Sequence, residues 1–263
     1  MKQILNIFLI ILLSSSCSNL KYYNGYNGKP KIVKSTLIEI DPNETSAQKG
    51  KIVSKTIYSF DKKKRIIKSS GGGIHIYDKK GNLLQNTIYG KDSMLNVRNN
   101  FTYNKYNQPL TKEYITKDKI IIYKNIYDRN KRTKEVRMIK SDGSFKIITL
   151  SIFNKKWQLI ESIDYDDSMK IKFRIEFEYD NTGNKINSKF YNYENNLYRF
   201  TEATFNTKND ETKIESFSVN QKDTLLINTL ESEYIYDKFD NIVREKLIEN
   251  GKAYYIGLND IIY

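Results

Sequence analysis

An aromatic residue followed at once by Asp or Asn recurs at eight places: Phe60-Asp61, Tyr77-Asp78, Tyr103-Asn104, Tyr127-Asp128, Phe153-Asn154, Tyr179-Asp180, Phe205-Asn206 and Tyr236-Asp237. The intervals between them are 17, 26, 24, 26, 26, 26 and 31 residues. Internal periodicity of this kind constrains a fold more than any other feature, because each unit must bury its face against its neighbours.

The phrase has a physical reading as a hairpin turn. Asp or Asn at the first turn position can bond its side chain to a backbone N–H two residues on. Three residues later a type I turn ends on a residue that must accept positive φ. Gly81, Asn107, Gly183, Asn209 and Asp240 suit that place, whereas Lys64, Lys131 and Trp157 do not. Those three tips are expected to be strained or to adopt another turn. A second set of turns lies midway, in stretches such as "SDGSF" (141–145) and "IENGK" (248–252).

Between turns the apolar residues alternate. In "KIKFRIEFEYD", Phe173, Ile175, Phe177 and Tyr179 interleave with Lys172, Arg174, Glu176 and Glu178, which makes one shielded and one wet face. "KIIIYKNIYD" and "FKIITLSIFN" are apolar on both faces, and part of the sheet is therefore expected to be covered on both sides. The expectation is an all-β antiparallel meander of about eight 26-residue two-strand repeats over 31–263, some 15 to 17 strands in a strongly twisted or rolled sheet. A flat open sheet that wide is unusual, so twist or closure towards a barrel or rolled shell is expected.

The first 30 residues differ in character. Lys2 precedes an apolar run from Ile4 to Leu13, broken only by Asn6, and then "SSSCS". This describes a signal peptide over 1–16, too short to span a membrane as a helix. The chain's single cysteine, Cys17, sits where cleavage would fall. With Ser15 and Ser16 before it, the segment resembles a bacterial lipoprotein lipobox, with Ser14 in the place where Leu is usual. The resemblance implies acylation of Cys17, a membrane partner through that lipid, and a tether over 17–30 with Gly25, Gly28 and Pro30 breaking regular structure. Ser18 and Asn19 resemble outer-membrane sorting residues, and the acidic cluster of a surface-export tag is missing from "SNLKYYNG". An outer-membrane lipoprotein facing the periplasm is expected.

The runs Tyr77-Asp78-Lys79-Lys80-Gly81-Asn82 and Tyr179-Asp180-Asn181-Thr182-Gly183-Asn184 resemble the YD-repeat (RHS-like) proteins, and "SDGSF" resembles the second turn of such repeats in Bacteroidetes lipoproteins. The similarity spans about residues 50 to 250. It implies a strand-rich repeat and no catalytic residue. Asn stands where Arg usually follows the Gly, so the large toxin-enclosing shells of that group are not expected.

Candidate chemistry is sparse. His75 is the only histidine, with no ligand partner near in sequence, and Gly71-Gly72-Gly73 reads as a turn or bulge absorbing the 17-residue interval. Asp164, Asp166 and Asp167 cluster in "DYDDS", but Ile175 stands where a calcium loop needs Glu, so a hairpin turn is expected. No cofactor or metal is expected. Lys and Arg exceed Asp and Glu by 44 to 31, a net charge of +13, scattered along a chain also enriched in Asn, Ile and Tyr. That scatter argues against a nucleic-acid arm. Basic residues nonetheless gather at the first kind of turn: Lys62, Lys63, Lys64, Arg65, Lys79, Lys80, Arg129, Lys131, Arg132, Lys155 and Lys156. In a regular sheet these tips share one edge, a candidate cationic surface for an anionic envelope polymer or a protein partner. The expected function is a non-enzymatic binding or structural scaffold of the cell envelope. The alternatives are an envelope hydrolase built from scattered carboxylates and a partner or immunity protein of a YD-repeat toxin.

Overall fold

A computed structural model describes residues 27–40, 50–63, 65–70, 73–90, 94–220 and 223–263. Cys17, the signal segment, Lys64 and the first two residues of the Gly71-Gly72-Gly73 run lie outside the described residues. The strands are β1 (Ile32–Glu39), β2 (Lys51–Phe60), β3 (Ile66–Ser69), β4 (Gly73–Tyr77), β5 (Leu83–Tyr89), β6 (Leu95–Tyr103), β7 (Pro109–Ile115), β8 (Ile120–Asp128) and β9 (Thr133–Ile139). They continue as β10 (Phe145–Phe153), β11 (Leu159–Tyr165), β12 (Ile171–Tyr179), β13 (Lys185–Tyr191), β14 (Leu197–Phe205), β15 (Glu211–Val219), β16 (Thr224–Tyr236), β17 (Ile242–Glu249) and β18 (Lys252–Ile262). No helix occurs among the described residues.

Each strand pairs antiparallel with the next in sequence, and β1 pairs with both β2 and β18. The wall is therefore a closed barrel of 18 strands, which bears out an all-β antiparallel chain but replaces the twisted or rolled meander of about eight regular repeats that the sequence predicted. An open sheet would leave two rows of unpaired N–H and C=O groups; pairing Ile32–Glu39 with Tyr255–Ile262 removes both. The repeat breaks down at two intervals. The 17-residue one holds only the short β3 and β4, and the 31-residue one is absorbed by β16, which is 13 residues long and bulged against Ser216 and Phe217.

Registers sort the side chains into two faces, since residues opposite each other in neighbouring strands point the same way. On one face, Ile57, Ile74, Ile76, Ile120, Ile122, Ile235 and Leu258 are 37% to 66% exposed. On the other lie buried Val33, Phe60, Asn99, Ser151, Ser188 and Ser216. Side chains converge on a concave wall and splay on a convex one, so the more shielded set is the inner face, with Thr87 and Ile256 as buried exceptions on the outer one. The two-sided strands correct a second expectation: nothing among the described residues covers Ile120 and Ile122 from outside. β-branched residues earn their place there by strand propensity more than by burial.

Charged side chains run along both faces. Outside, Arg174 bridges Glu161 at 3.2 Å and Glu176 at 2.7 Å, Lys189 meets Glu178 at 2.5 Å, and Lys246 meets Glu233 at 3.2 Å. Inside lie Lys112, Lys134, Asp164, Arg199 and Glu245. A cation facing lipid at mid-bilayer costs about 2–4 kcal/mol on a barrel wall. Among the described residues these charges interrupt the apolar side chains on both faces.

The best-packed apolar cluster sits at the closing seam. Val33 is fully buried, Phe60 and Ile66 nearly so, and Tyr58 and Ile261 pack against them. Each such side chain contributes about 1.5–3 kcal/mol on full burial. The placement makes sense, because β1–β18 is the one contact in the ring made between strands more than 200 residues apart.

Candidate functional site

All eight aromatic–Asp/Asn pairs fall at the ends of the even-numbered strands, which places their turns on one rim of the barrel. Five of those turns have the same construction. At the Asp180 turn, the Asp180 N–H donates to the Asn184 carbonyl at 2.9 Å, Gly183 N–H donates back to the Asp180 carbonyl, and Asp180 Oδ1 accepts from Thr182 N at 2.9 Å and Asn184 N at 2.8 Å. Asn104, Asn154, Asn206 and Asp237 repeat these bonds within 0.2 Å. The Thr182 hydroxyl holds Asp180 at a pKa of about 2.

The left-handed position falls where the spacing put it at Gly81, Asn107, Gly183, Asn209 and Asp240. Trp157 is forced to φ 60°, the strain its side chain implies, while the Asp128 turn takes another form in which Arg132, not Lys131, adopts φ 54°.

The aromatics tie neighbouring hairpins together. Tyr103 Oη donates to the Leu83 carbonyl at 2.8 Å, Tyr127 to Pro109 at 3.0 Å and Tyr179 to Leu159 at 2.8 Å. Burial pushes Tyr179 up to about 12. Tyr263 plays the same part at the seam, where its hydroxyl meets Asp237 and accepts from Asn241 Nδ2 at 2.8 Å. Asn241 is 2% exposed and also clasps the incoming chain, with Nδ2 donating to the Asn27 carbonyl at 3.2 Å and Oδ1 accepting from Asn27 N–H. The chain thus enters the barrel at this same rim, beside the 61–65 tip.

Charge is unevenly spread around the rim. The five consecutive tips 61–65, 78–82, 104–108, 128–132 and 154–158 hold twelve Lys or Arg and three Asp. The remaining three, 180–184, 206–210 and 237–241, hold two Lys and four Asp. On the opposite rim, turns 116–119, 140–144, 166–170, 192–196 and 249–252 hold five basic and six acidic residues. The basic excess of the whole chain is therefore concentrated on one arc of one rim.

The predicted cations divide into two kinds. Arg65 builds structure: it pairs with Asp61 at 2.6 Å, donates to the Asp78 carbonyl at 3.1 Å and lies 4.8 Å from the Tyr77 ring centre. Although burial pushes Asp61 upward, its bonds to Arg65 and Lys63 hold it below the usual carboxylate range. Arg132 donates to the Phe153 carbonyl, Lys131 stands 4.0 Å from Asp128, and Lys63 reaches the Lys79 carbonyl. Lys62, Lys79, Lys80, Lys155 and Lys156 are exposed and pair with no described carboxylate. Arg129 joins the two halves of the arc, 4.0 Å above the Tyr106 ring and 5.7 Å from Trp157. Lys105 and Tyr106, at the central tip, belong to this surface and were readable from "NKYN" but not singled out.

Away from the arc, Asp166 Oδ1 accepts from Ser168 N and Lys170 N, so "DYDDS" is a hairpin turn. Burial lowers the pKa of His75, which lies on the inner face. Inside the same mouth but on the far side, burial pushes the carboxyls of Glu211 and Glu245 upward, with Lys185 beside Glu211 countering in part. Two open grooves of about 410 and 690 Å³ run between the 154–158, 180–184 and 206–210 tips, and neither reaches Glu211 or Glu245.

These features define a closed β-barrel with one cationic rim. No protein-family model and no curated protein matches the chain. Among solved structures it is similar to a porin-like protein from Bacteroides vulgatus at 12% identity and TM-score 0.41, covering 87% of this chain and 97% of that one. A porin-like protein from Bacteroides uniformis matches at 10% identity and TM-score 0.32, covering 90% and 99%. The TcdB2-TccC3-Cdc42 structure matches at 12% and 0.31, covering 84% of this chain but 14% of that one. Likeness at this level assigns no function, and the YD-repeat resemblance remains one of motif.

Proposed function

We propose that this protein is a non-enzymatic barrel of the cell envelope, anchored through an acylated Cys17, that binds an anionic envelope component with its cationic arc. The observation that carries this reading is the set of exposed rim lysines, Lys62, Lys79, Lys80, Lys155 and Lys156, left without described carboxylate partners beside a rim half of opposite sign. Exposed cations of this kind are worth little to stability and are screened within about 10 Å at ordinary salt, so their use is external. Retention on an immobilised anionic glycan tests it. The protein should bind at low salt, release as salt rises, and lose retention in Lys62→Glu/Lys80→Glu/Lys156→Glu. Retention that persists in high salt, or that the triple variant keeps, contradicts the reading.

One observation favours the hydrolase alternative: Glu211 and Glu245 are half-buried carboxyls with raised pKa near the barrel mouth, the condition a general acid needs. Hydrolysis of envelope glycans or esters by the wild type and not by Glu245→Gln would replace the scaffold reading.

A further inference from the structure

We infer that the anionic component is the bilayer itself: the cationic arc docks on anionic lipid headgroups of the leaflet that holds the chain's own anchor. This rests on the anchored, anion-binding reading above and names its partner. The chain enters the wall at the cationic rim. Asn27 is held by both ends of the Asn241 side chain, Lys31 N–H donates to the Ile262 carbonyl at 2.7 Å, and Phe60 N–H donates to the Lys31 carbonyl at 2.9 Å. The entry point therefore lies between the 237–241 tip and the 61–65 tip, where the basic arc begins.

Chain length then favours one orientation. From Cys17 to Asn27 there are ten residue steps, and a fully extended chain covers at most about 3.6 Å per step, so Asn27 stays within about 36 Å of an acylated Cys17. A strand of nine residues such as β12 is about 30 Å long, which sets the other rim a further strand length away. Docking the opposite rim would need that link stretched over most of its reach, so the basic rim is the one favoured at the headgroups, where a short link gives an effective concentration in the millimolar range. Lysines near an anionic surface are attracted additively. Tyr106 and Trp157, flanking Arg129 on the arc, are the ring types that favour the headgroup layer.

Trp157 is the only tryptophan and lies on a tip of the arc, so its fluorescence reports the rim directly. The full chain carrying Cys17→Ser, which removes the lipid contribution, should partition onto phosphatidylcholine vesicles containing phosphatidylglycerol at least tenfold better than onto phosphatidylcholine alone. The preference should fade at high salt, and a nitroxide-headgroup lipid should quench Trp157. Lys62→Glu/Lys80→Glu/Lys156→Glu should lower partitioning by at least about 100-fold, whereas Lys119→Glu/Lys140→Glu/Lys252→Glu on the opposite rim should leave it near wild type. Equal loss in both triple variants, or bound protein with Trp157 unquenched, overturns the docked orientation. Failure on vesicles with glycan retention intact overturns the membrane inference alone; failure on both overturns the cationic-rim function as well.

Discussion

Asn241→Ala is the substitution with the sharpest expected effect on stability. Its side chain is saturated with three hydrogen bonds' worth of partners: Oδ1 accepts from Asn27 N–H, and the two Nδ2 hydrogens are shared among the Asn27 carbonyl, Asp237 Oδ2 at 3.1 Å and the Tyr263 hydroxyl at 2.8 Å. At about 1 kcal/mol net for each bond lost where water cannot replace it, the variant should lose roughly 3 kcal/mol. For a barrel of this size that corresponds to a melting temperature lower by about 8 °C. Asn184 occupies the same place in another turn and bonds Asp180 at 3.0 Å, Thr182 at 2.8 Å and Asn209 at 3.0 Å, but at the water-exposed tip. Asn184→Ala should therefore cost only about 1 kcal/mol. Urea melts followed by far-ultraviolet circular dichroism compare the two. Equal losses, or a loss below about 1 kcal/mol for Asn241→Ala, would mean that the entering chain is not latched at the seam.

Two further outcomes follow from the same turns. Met169 is held at φ 62° at the tip of the β11–β12 hairpin and is 45% exposed, so Met169→Gly should stabilise by about 1 kcal/mol, read from the same melts. Stability should also fall at both pH extremes. At Asp237, burial is outweighed by bonds from Tyr263 and Asn241, and its pKa is held at about 2, so its contribution is complete above the unfolded value near 4 and is lost as pH falls towards 2. Tyr263 is pushed up to about 12 by burial and by its bond to Asp237; its contribution is complete below the unfolded value near 10 and is lost as pH rises towards 12. Melts across both windows, with tyrosinate absorbance on the alkaline side, check the two signs.

What the sequence disclosed and what it hid divide by contact distance. The Asx turns at Asn104, Asn154, Asp180, Asn206 and Asp237 are local: one side chain bonds amides within four residues, so five letters suffice to read them. The strain at Trp157 and the altered turn at Asp128 were legible for the same reason. The pairing that closes the ring was not. It rests on Val33 opposite Ile261 and on Asn27 beside Asn241, pairs far apart in the chain whose residue types are ordinary for any strand or turn. The gathering of basic tips was foreseen, but its confinement to one arc was not, because neighbours on the rim stand some 26 residues apart in sequence. Which cations are engaged depends on partners as distant as Arg132 and Phe153, which composition does not display.

The ring itself is most directly tested across its seam. Lys34 and Asp260 are paired between β1 and β18, with Nζ to Oδ2 at 3.6 Å, and the Cα separation of an antiparallel pair, about 4.5–5.5 Å, lies within disulfide range. In a Cys17→Ser background, Lys34→Cys/Asp260→Cys should oxidise to an intramolecular disulfide that speeds migration on a non-reducing gel. A Lys34→Cys/Lys213→Cys control, joining β1 to distant β15, should not. Absence of the seam disulfide, or equal cross-linking of the control, would contradict a closed 18-stranded barrel.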